Sequence, residues 1–324
     1  MKRCRRTFIR LLLICMVILG TLGVSRDVHA ASKAVAKVGN KKYASLDKAF
    51  KAVKKKGTIK LLKNVTLKKN IYLDSKKTIT VNLNKHTITT KKSGGFTINK
   101  GKVTFKNGTL KDKQSANAKY GVYNIISIYK KGSVVLNNVN YYGHIQIGGY
   151  YYAKNNGSLR IKGGTFKPAG DSWLISNFGK LVIDKGDFQF LGSDTHYGIL
   201  RTFKDCTING GNFKTYGQYS ILIDTNGFDG HRGKTTINGG TFTYPWSRNR
   251  DWNYGVILNE KSDTTLAGGT IQSSVQIVGG KLVMKGGSIT GVKSAVWVDD
   301  LYGGPKGSFS KTGGTITEYE RIFN

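Results

Sequence analysis

Two loop segments and one recurring strand position of this 324-residue chain hold the side chains best suited to chemistry. The segments Thr225-Asn-Gly-Phe-Asp-Gly-His-Arg-Gly-Lys234 and Tyr244-Pro-Trp-Ser-Arg-Asn-Arg-Asp-Trp252 concentrate Arg232, Tyr244, Trp246, Arg248, Arg250 and Trp252. With Trp173 they place three of the four Trp, and five of the six Arg beyond residue 30, between residues 160 and 252. Aromatic rings stack on sugar rings, and guanidinium forks grip carboxylate or sulfate through two hydrogen bonds. This composition suits a cleft for an acidic sugar chain; aromatics packing on the structure beneath them would leave the same pattern.

Acid–base candidates lie close by. Arg201, Asp224 and His231 supply a cation to neutralise a sugar carboxylate and a base to take a proton beside it. Five similar strands, ending at Asn177, Thr202, Asp224, Asn259 and Asp299, stack those residues in one outward column, with Glu260 and Asp300 one residue later. Such a column has three uses: a Ca2+ site, acid–base catalysis, or a structural hydrogen-bond ladder. No zinc spacing, nucleophile elbow or phosphate loop is present. Cys206, the single cysteine beyond residue 30, has no intrachain partner and reads as a core side chain rather than a nucleophile.

What must position these residues is a repeat. Leu159-Arg-Ile-Lys-Gly-Gly-Thr-Phe166 recurs as Leu181 to Phe188, Cys206 to Phe213, Thr235 to Phe242, Thr264 to Ile271 and Leu282 to Ile289. Looser copies sit at Val103 to Leu110, Val134 to Tyr141 and Ser308 to Ile316, and earlier rungs at Leu61 to Leu67 and Val81 to Ile88. One such unit cannot bury its own apolar face, but stacked units can. Apolar residues at alternate positions point to a shared interior, and Lys, Asn and Thr between them point to water. The Gly-Gly pair supplies a positive-φ corner. Three prolines in the whole chain suit a ladder whose rungs all donate N–H groups.

Charge divides the chain. Residues 31 to 113 hold 23 Lys, no Arg and only Asp47, Asp74 and Asp112, hence +20; residues 114 to 324 hold 23 cations and 14 anions, hence +9. Such a field attracts polyanions, and it also serves as a solvated, solubilising face. A hydrophobic content of 39% excludes a disordered chain. Residues 1 to 30 begin Lys2-Arg3, Arg5-Arg6 and Arg10, run through an apolar Leu11 to Val24 and end Val28-His29-Ala30. They read as a secretory signal peptide, too short in its apolar part to span a bilayer comfortably.

These repeats resemble the right-handed parallel β-helix of the pectate-lyase-like superfamily over residues 57 to 316. The opening, Tyr43-Ala-Ser-Leu-Asp-Lys-Ala-Phe-Lys-Ala-Val53 followed by Thr58 to Leu67 and Leu83 to Ile88, is similar to that of secreted or surface-displayed β-helix proteins of Gram-positive bacteria. In it Leu46, Ala49, Phe50 and Val53 share one helical face, Ser45 is the N-cap and Gly57 the stop, so a short helix is expected to cap the first coil. The expected fold is all-β: a single right-handed parallel β-helix of about eleven coils with a short N-terminal capping α-helix. Its parts are residues 1–30 (signal peptide), 31–56 (N-terminal strand and capping helix) and 57–324 (β-helix).

The resemblance implies architecture and location more than chemistry; fragments similar to the motifs of the family's polysaccharide lyases and glycoside hydrolases are present but incomplete. Ala295-Val-Trp-Val-Asp-Asp300 is similar to the Trp-Ile-Asp-His signature of the family's polysaccharide lyases, with Asp300 in place of His. None of Pro168, Pro245 and Pro305 has the family's Arg two positions earlier. Arg160-Ile-Lys162, Gly230-His-Arg232 and Asp299-Asp300 are similar to glycoside hydrolase motifs but run in reverse order. The expectation is a secreted or wall-associated monomer binding an acidic polysaccharide or anionic cell-wall polymer, with no specific nucleic-acid partner and no transmembrane segment after the leader. The alternative is a polysaccharide lyase or glycoside hydrolase acting on an acidic polysaccharide; a lyase would add Ca2+ as cofactor.

Overall fold

A computed structural model describes residues 33–91, 93–113, 124–149, 157–170, 172–192, 197–217, 220–227, 232–244, 256–258, 262–292, 294–300 and 306–319. The leader reading of residues 1–30 lies outside them.

The alternating apolar pattern winds into one parallel β-solenoid with three faces. Strands of the first face stack in register from Lys56–Leu61 through Asp205–Ile208 and Gly233–Ile237 to Ser308–Lys311. The second face runs from Val65–Leu67 through Thr87–Thr90 to Asn212–Thr215 and Thr315–Tyr319. The third includes His144–Ile147, Ile175–Asn177, Gly198–Thr202, Ile221–Thr225 and Val296–Asp299. The solenoid makes about 8 turns, fewer than the eleven rungs counted from glycine spacing. The last of those rungs is incomplete: after Ser308–Lys311 and Thr315–Tyr319 no third-face strand follows among the described residues.

Inward residues form continuous columns. On the first face Leu159, Leu181, Cys206, Thr235, Thr264 and Leu282 follow one another in register. Cys206 is therefore core, and burial pushes its thiol up to about 12. On the second face Tyr141, Phe166, Phe188, Phe213 and Phe242 are all fully buried, and the four Phe rings stack with centroids 4.5–4.8 Å apart. Rung spacing and ring-stacking distance coincide, so one residue type can repeat along a face without strain.

The first coil is capped as its sequence demands. In the helix Leu46–Ala52, Ser45 Oγ accepts from Lys48 N at 3.3 Å; Leu46, Ala49 and Phe50 face the core, with the Phe50 ring 5.8 Å from Phe96. The N-terminal part contains two strands where one was expected: Ala36–Val38 pairs antiparallel with both Lys41–Tyr43 and Lys56–Leu61, covering the first open edge. Gly57 is not the helix stop. The helix ends at Ala52, and Gly57 lies inside the strand Lys56–Leu61, where an added Cβ would meet Val53 Cγ1 at 3.2 Å.

Candidate functional site

The third face brings together two of the three acid–base candidates. Arg201 and Asp224 are register partners on adjacent rungs, with Arg201 Nε 3.0 Å from Asp224 Oδ2. The approach is off the N–H direction, so the contact is an ion pair without a straight hydrogen bond. The Arg201 guanidinium also lies 5.8 Å from the Trp173 ring centre and 5.0 Å from that of Phe203, which stacks on Phe178. Arg201 is thus held by one carboxylate and two rings, and the Asp224 carboxylate is nearly covered. His231, the third candidate, lies outside the described residues.

The supposed outward column divides in two. Register aligns Asn177 with Thr202 and Thr202 with Thr225, not with Asp224. Because side chains alternate, one residue of offset moves Asp224 to the opposite side of the strand. Asn177, Thr202 and Thr225 are buried as a ladder. Asn177 Nδ2 donates to Thr202 Oγ1 at 2.8 Å and to Asp205 O at 3.1 Å, while Gly179 N donates to Asn177 Oδ1 at 3.0 Å. Thr225 Oγ1 donates to Ser262 Oγ at 3.1 Å. Asp224 lines up instead with Ser176 and Arg201, and Asp299 with Val278; Asn259 and Glu260 are outside the described residues. Ca2+ takes six to eight oxygens. With Asp224 flanked by Arg201, this column does not fit it, and among the described residues no three His, Cys, Asp or Glu cluster as a metal site would require.

Of the sugar-contact candidates, Trp173, Arg232 and Tyr244 are among the described residues, and each is covered or engaged. Trp173 is 7% exposed and packs on Ile221, and Tyr244 is 4% exposed within the main core. Arg232 forks onto Asp263, its Nε and Nη2 within 3.0 Å of the carboxylate. This holds the Asp263 carboxyl below its usual range, the guanidinium hydrogen bonds being the largest cause. Trp246, Arg248, Arg250 and Trp252 lie outside the described residues. Among the described residues the exposed rings are Tyr72 at 67%, Tyr216 at 47%, Tyr197 and Trp297. Lys214 Nζ sits 4.8 Å from the Tyr216 ring centre. Alternation already sends Tyr72 outward between the buried Ile71 and Leu73, a signal the loop-centred reading passed over.

The lysine field has a definite setting. In the strands Lys56–Leu61, 78–82 and 102–106, the outward residues are Lys, Thr and Asn, with no acidic residue among them. Of the two aspartates in residues 56–113, Asp112 is buried and accepts from Thr90 Oγ1 at 3.2 Å. Three Arg–Asp pairs tie neighbouring coils farther along, Arg160–Asp184, Arg201–Asp224 and Arg232–Asp263, whereas residues 31–113 hold no Arg, and Lys51–Asp47 there lies within the cap helix. No helix among the described residues is long and apolar enough to cross a membrane. No family model, curated protein or solved structure matches the chain; by its geometry it is a parallel β-solenoid.

Proposed function

We propose that this protein is a secreted or cell-surface β-solenoid that binds anionic glycans or cell-wall polymers without cleaving them. The Lys-rich N-terminal surface captures the polymer, and the Trp- and Arg-bearing segments around residues 244–252 add contacts. The observation that carries the reading is the acid-free, lysine-bearing outer surface of the strands Lys56–Leu61, 78–82 and 102–106. Unbalanced charge on a rigid sheet repels itself in isolation and is relieved by a polyanion. Non-catalytic binding is favoured over cleavage because Arg201 and Asp224, the candidate cation and base, are engaged with each other.

The test uses the chain without residues 1–30 and immobilised polygalacturonate and hyaluronate. Binding should be tight at low salt and weaken steeply as salt rises, because each ion contact releases counterions. Retention that does not change with salt would remove the electrostatic basis of the proposal. Incubation with the same polymers should produce no ultraviolet-absorbing unsaturated sugar, with or without added Ca2+. Appearance of that product would replace the binder by a lyase.

A further inference from the structure

The lysines of the first face are not scattered. Register places Lys56, Thr78, Lys102 and Ser133 in one row, Thr58, Thr80 and Thr104 in the next outward row, and Lys60, Asn82, Lys106 and Asn137 in a third. In both flanking rows a cation alternates with a neutral polar residue, and the rows are in phase. Lys56 and Lys60 share one rung, Lys102 and Lys106 the next but one. Successive rungs are ~4.8 Å apart, so the two cations of each row stand ~10 Å apart along the solenoid axis, and the two rows stand ~13 Å apart across a strip of threonines. The frame is these four lysines, since Ser133 is followed by Ser158. None of the four lysines makes an ion pair among the described residues.

We propose that this frame is the polymer-binding site and selects a linear glycan carrying one anionic group per disaccharide. The glycan lies along the solenoid axis over Thr58, Thr80 and Thr104. This rests on the anionic-polymer reading above and adds to it a place, a direction and a charge period. A separation of ~10 Å between the two cations of a row fits the length of a disaccharide rather than one sugar or one nucleotide. A chain charged at every sugar would set alternate anions against Thr78 and Asn82, where no cation answers. The threonine hydroxyls both donate and accept, as sugar hydroxyls require. Lysine stems lying along the sheet leave the ammonium groups at its rim, able to follow a chain between them.

The test compares two variants that each remove four positive charges. K56Q/K60Q/K102Q/K106Q removes the frame; K41Q/K42Q/K68Q/K69Q removes exposed lysines of the same end of the molecule outside it. Affinities are measured for hyaluronate, one carboxylate per disaccharide, and polygalacturonate, one per sugar. The frame variant should lose at least about tenfold more hyaluronate affinity than the control variant, while both lose polygalacturonate affinity alike. Equal losses of hyaluronate affinity in the two variants would overturn the frame and leave general polyanion binding standing. If the unmodified protein holds neither polymer, the function itself falls.

A gain-of-charge variant guards against a frame variant that misfolds. T78K/S133K fills the two neutral rungs of one row and should shift preference toward polygalacturonate. Asn82 is left in place because its Oδ1 accepts from Asn84 N at 3.0 Å at the corner. An unchanged ratio of the two affinities would contradict the charge period.

Discussion

The two halves of the solenoid solve one stacking problem differently. Toward the N-terminus, strands run unbroken through their corners, as in Gly95–Asp112 and Asn124–Tyr142. The corner between the first and second faces is turned there by Asn84, Lys85, Asn107 and Asn138 in the left-handed region. Toward the C-terminus, strands shorten to three to five residues and that corner passes to glycines such as Gly211, Gly240 and Gly269. The later coils hold each other with stacked phenylalanines, a buried Asn–Thr ladder and Arg–Asp pairs; the early coils carry lysines outside and a core in which Phe50, Phe96 and Phe105 meet tilted or edge-on among aliphatic side chains. Arg–Asp staples between coils lie in the later half, and residues 31–113, which hold 23 Lys, contain no Arg to form them. In a solenoid each coil contacts only its neighbours, so the halves can differ this way without disturbing each other.

The largest expected effect falls on the ring stack. Phe213 lies 4.5 Å from Phe188 and 4.6 Å from Phe242, so F213A opens a cavity on both sides and should cost about 3–5 kcal/mol. Leu110, at the corresponding inward position of the second face in an early coil, should cost about 2–4 kcal/mol on truncation to Ala. Urea titrations of both variants measure the difference; a smaller loss for F213A than for L110A would deny the stack any special role. Next comes N177A, which removes the Asn177 partner of Asp205 O and Gly179 N and leaves Thr202 Oγ1 only its bond to Lys204 O. Unsatisfied buried groups make a loss of about 2 kcal/mol the expectation. Equal stability of N177A and the unmodified chain would show that the ladder is incidental.

The corners give a sharper contrast of smaller size. Gly240 has φ +108, and a Cβ there would come 2.9 Å from Gly211 O, so G240A should destabilise by about 1–2 kcal/mol or more. Asn107 at φ 59 occupies a left-handed conformation that Asn tolerates, so N107G should move stability by only a few tenths of a kcal/mol. Similar losses in the two variants would mean that both halves turn their corners by the same device.

Much of this architecture was legible in the sequence. Period-two alternation and the recurring Gly-Gly gave the class, the parallel stacking and the inward Cys206, because both features are set within one coil. The capping helix was legible from Ser45, Leu46, Ala49 and Phe50 for the same reason. Register between coils was not. Asp224 was aligned with Asn177 and Thr202, where Thr225 belongs, since the position of a strand in its ladder depends on the length of the loop before it. Exposure failed similarly at Trp173 and Tyr244: side-chain type suggested contact with sugar, but neighbouring coils cover both rings. The alternation of the lysines became visible only once Lys56, Thr78 and Lys102 were placed in one row.

The smallest predicted effect tests the division electrostatically. Burial acts to raise the Asp184 carboxyl, but hydrogen bonds from Arg160 and Asn209 and the charges of Arg160 and Lys162 outweigh it and hold it below its usual range. Asp263 is held low chiefly by the Arg232 hydrogen bonds. A carboxyl lowered in the folded state contributes stability above its unfolded pKa of about 3.9 and loses it as pH falls through the lowered value. Both sites are largely open to solvent, so the Arg232–Asp263 pair should contribute only about 0.5 kcal/mol. Between pH 5 and pH 2, hydrogen exchange corrected for its intrinsic rate should therefore quicken first in the coils from 158 to 292. The lysine-bearing coils from 56 to 113, already cationic and without an arginine, should change less. In D263N the acid response of residues 233–266 should shrink while that of the early coils stays the same. Parallel loss of protection in both halves, or an unaltered response in D263N, would show that the pairs are surface ornaments and that the division lies in the core and corners alone.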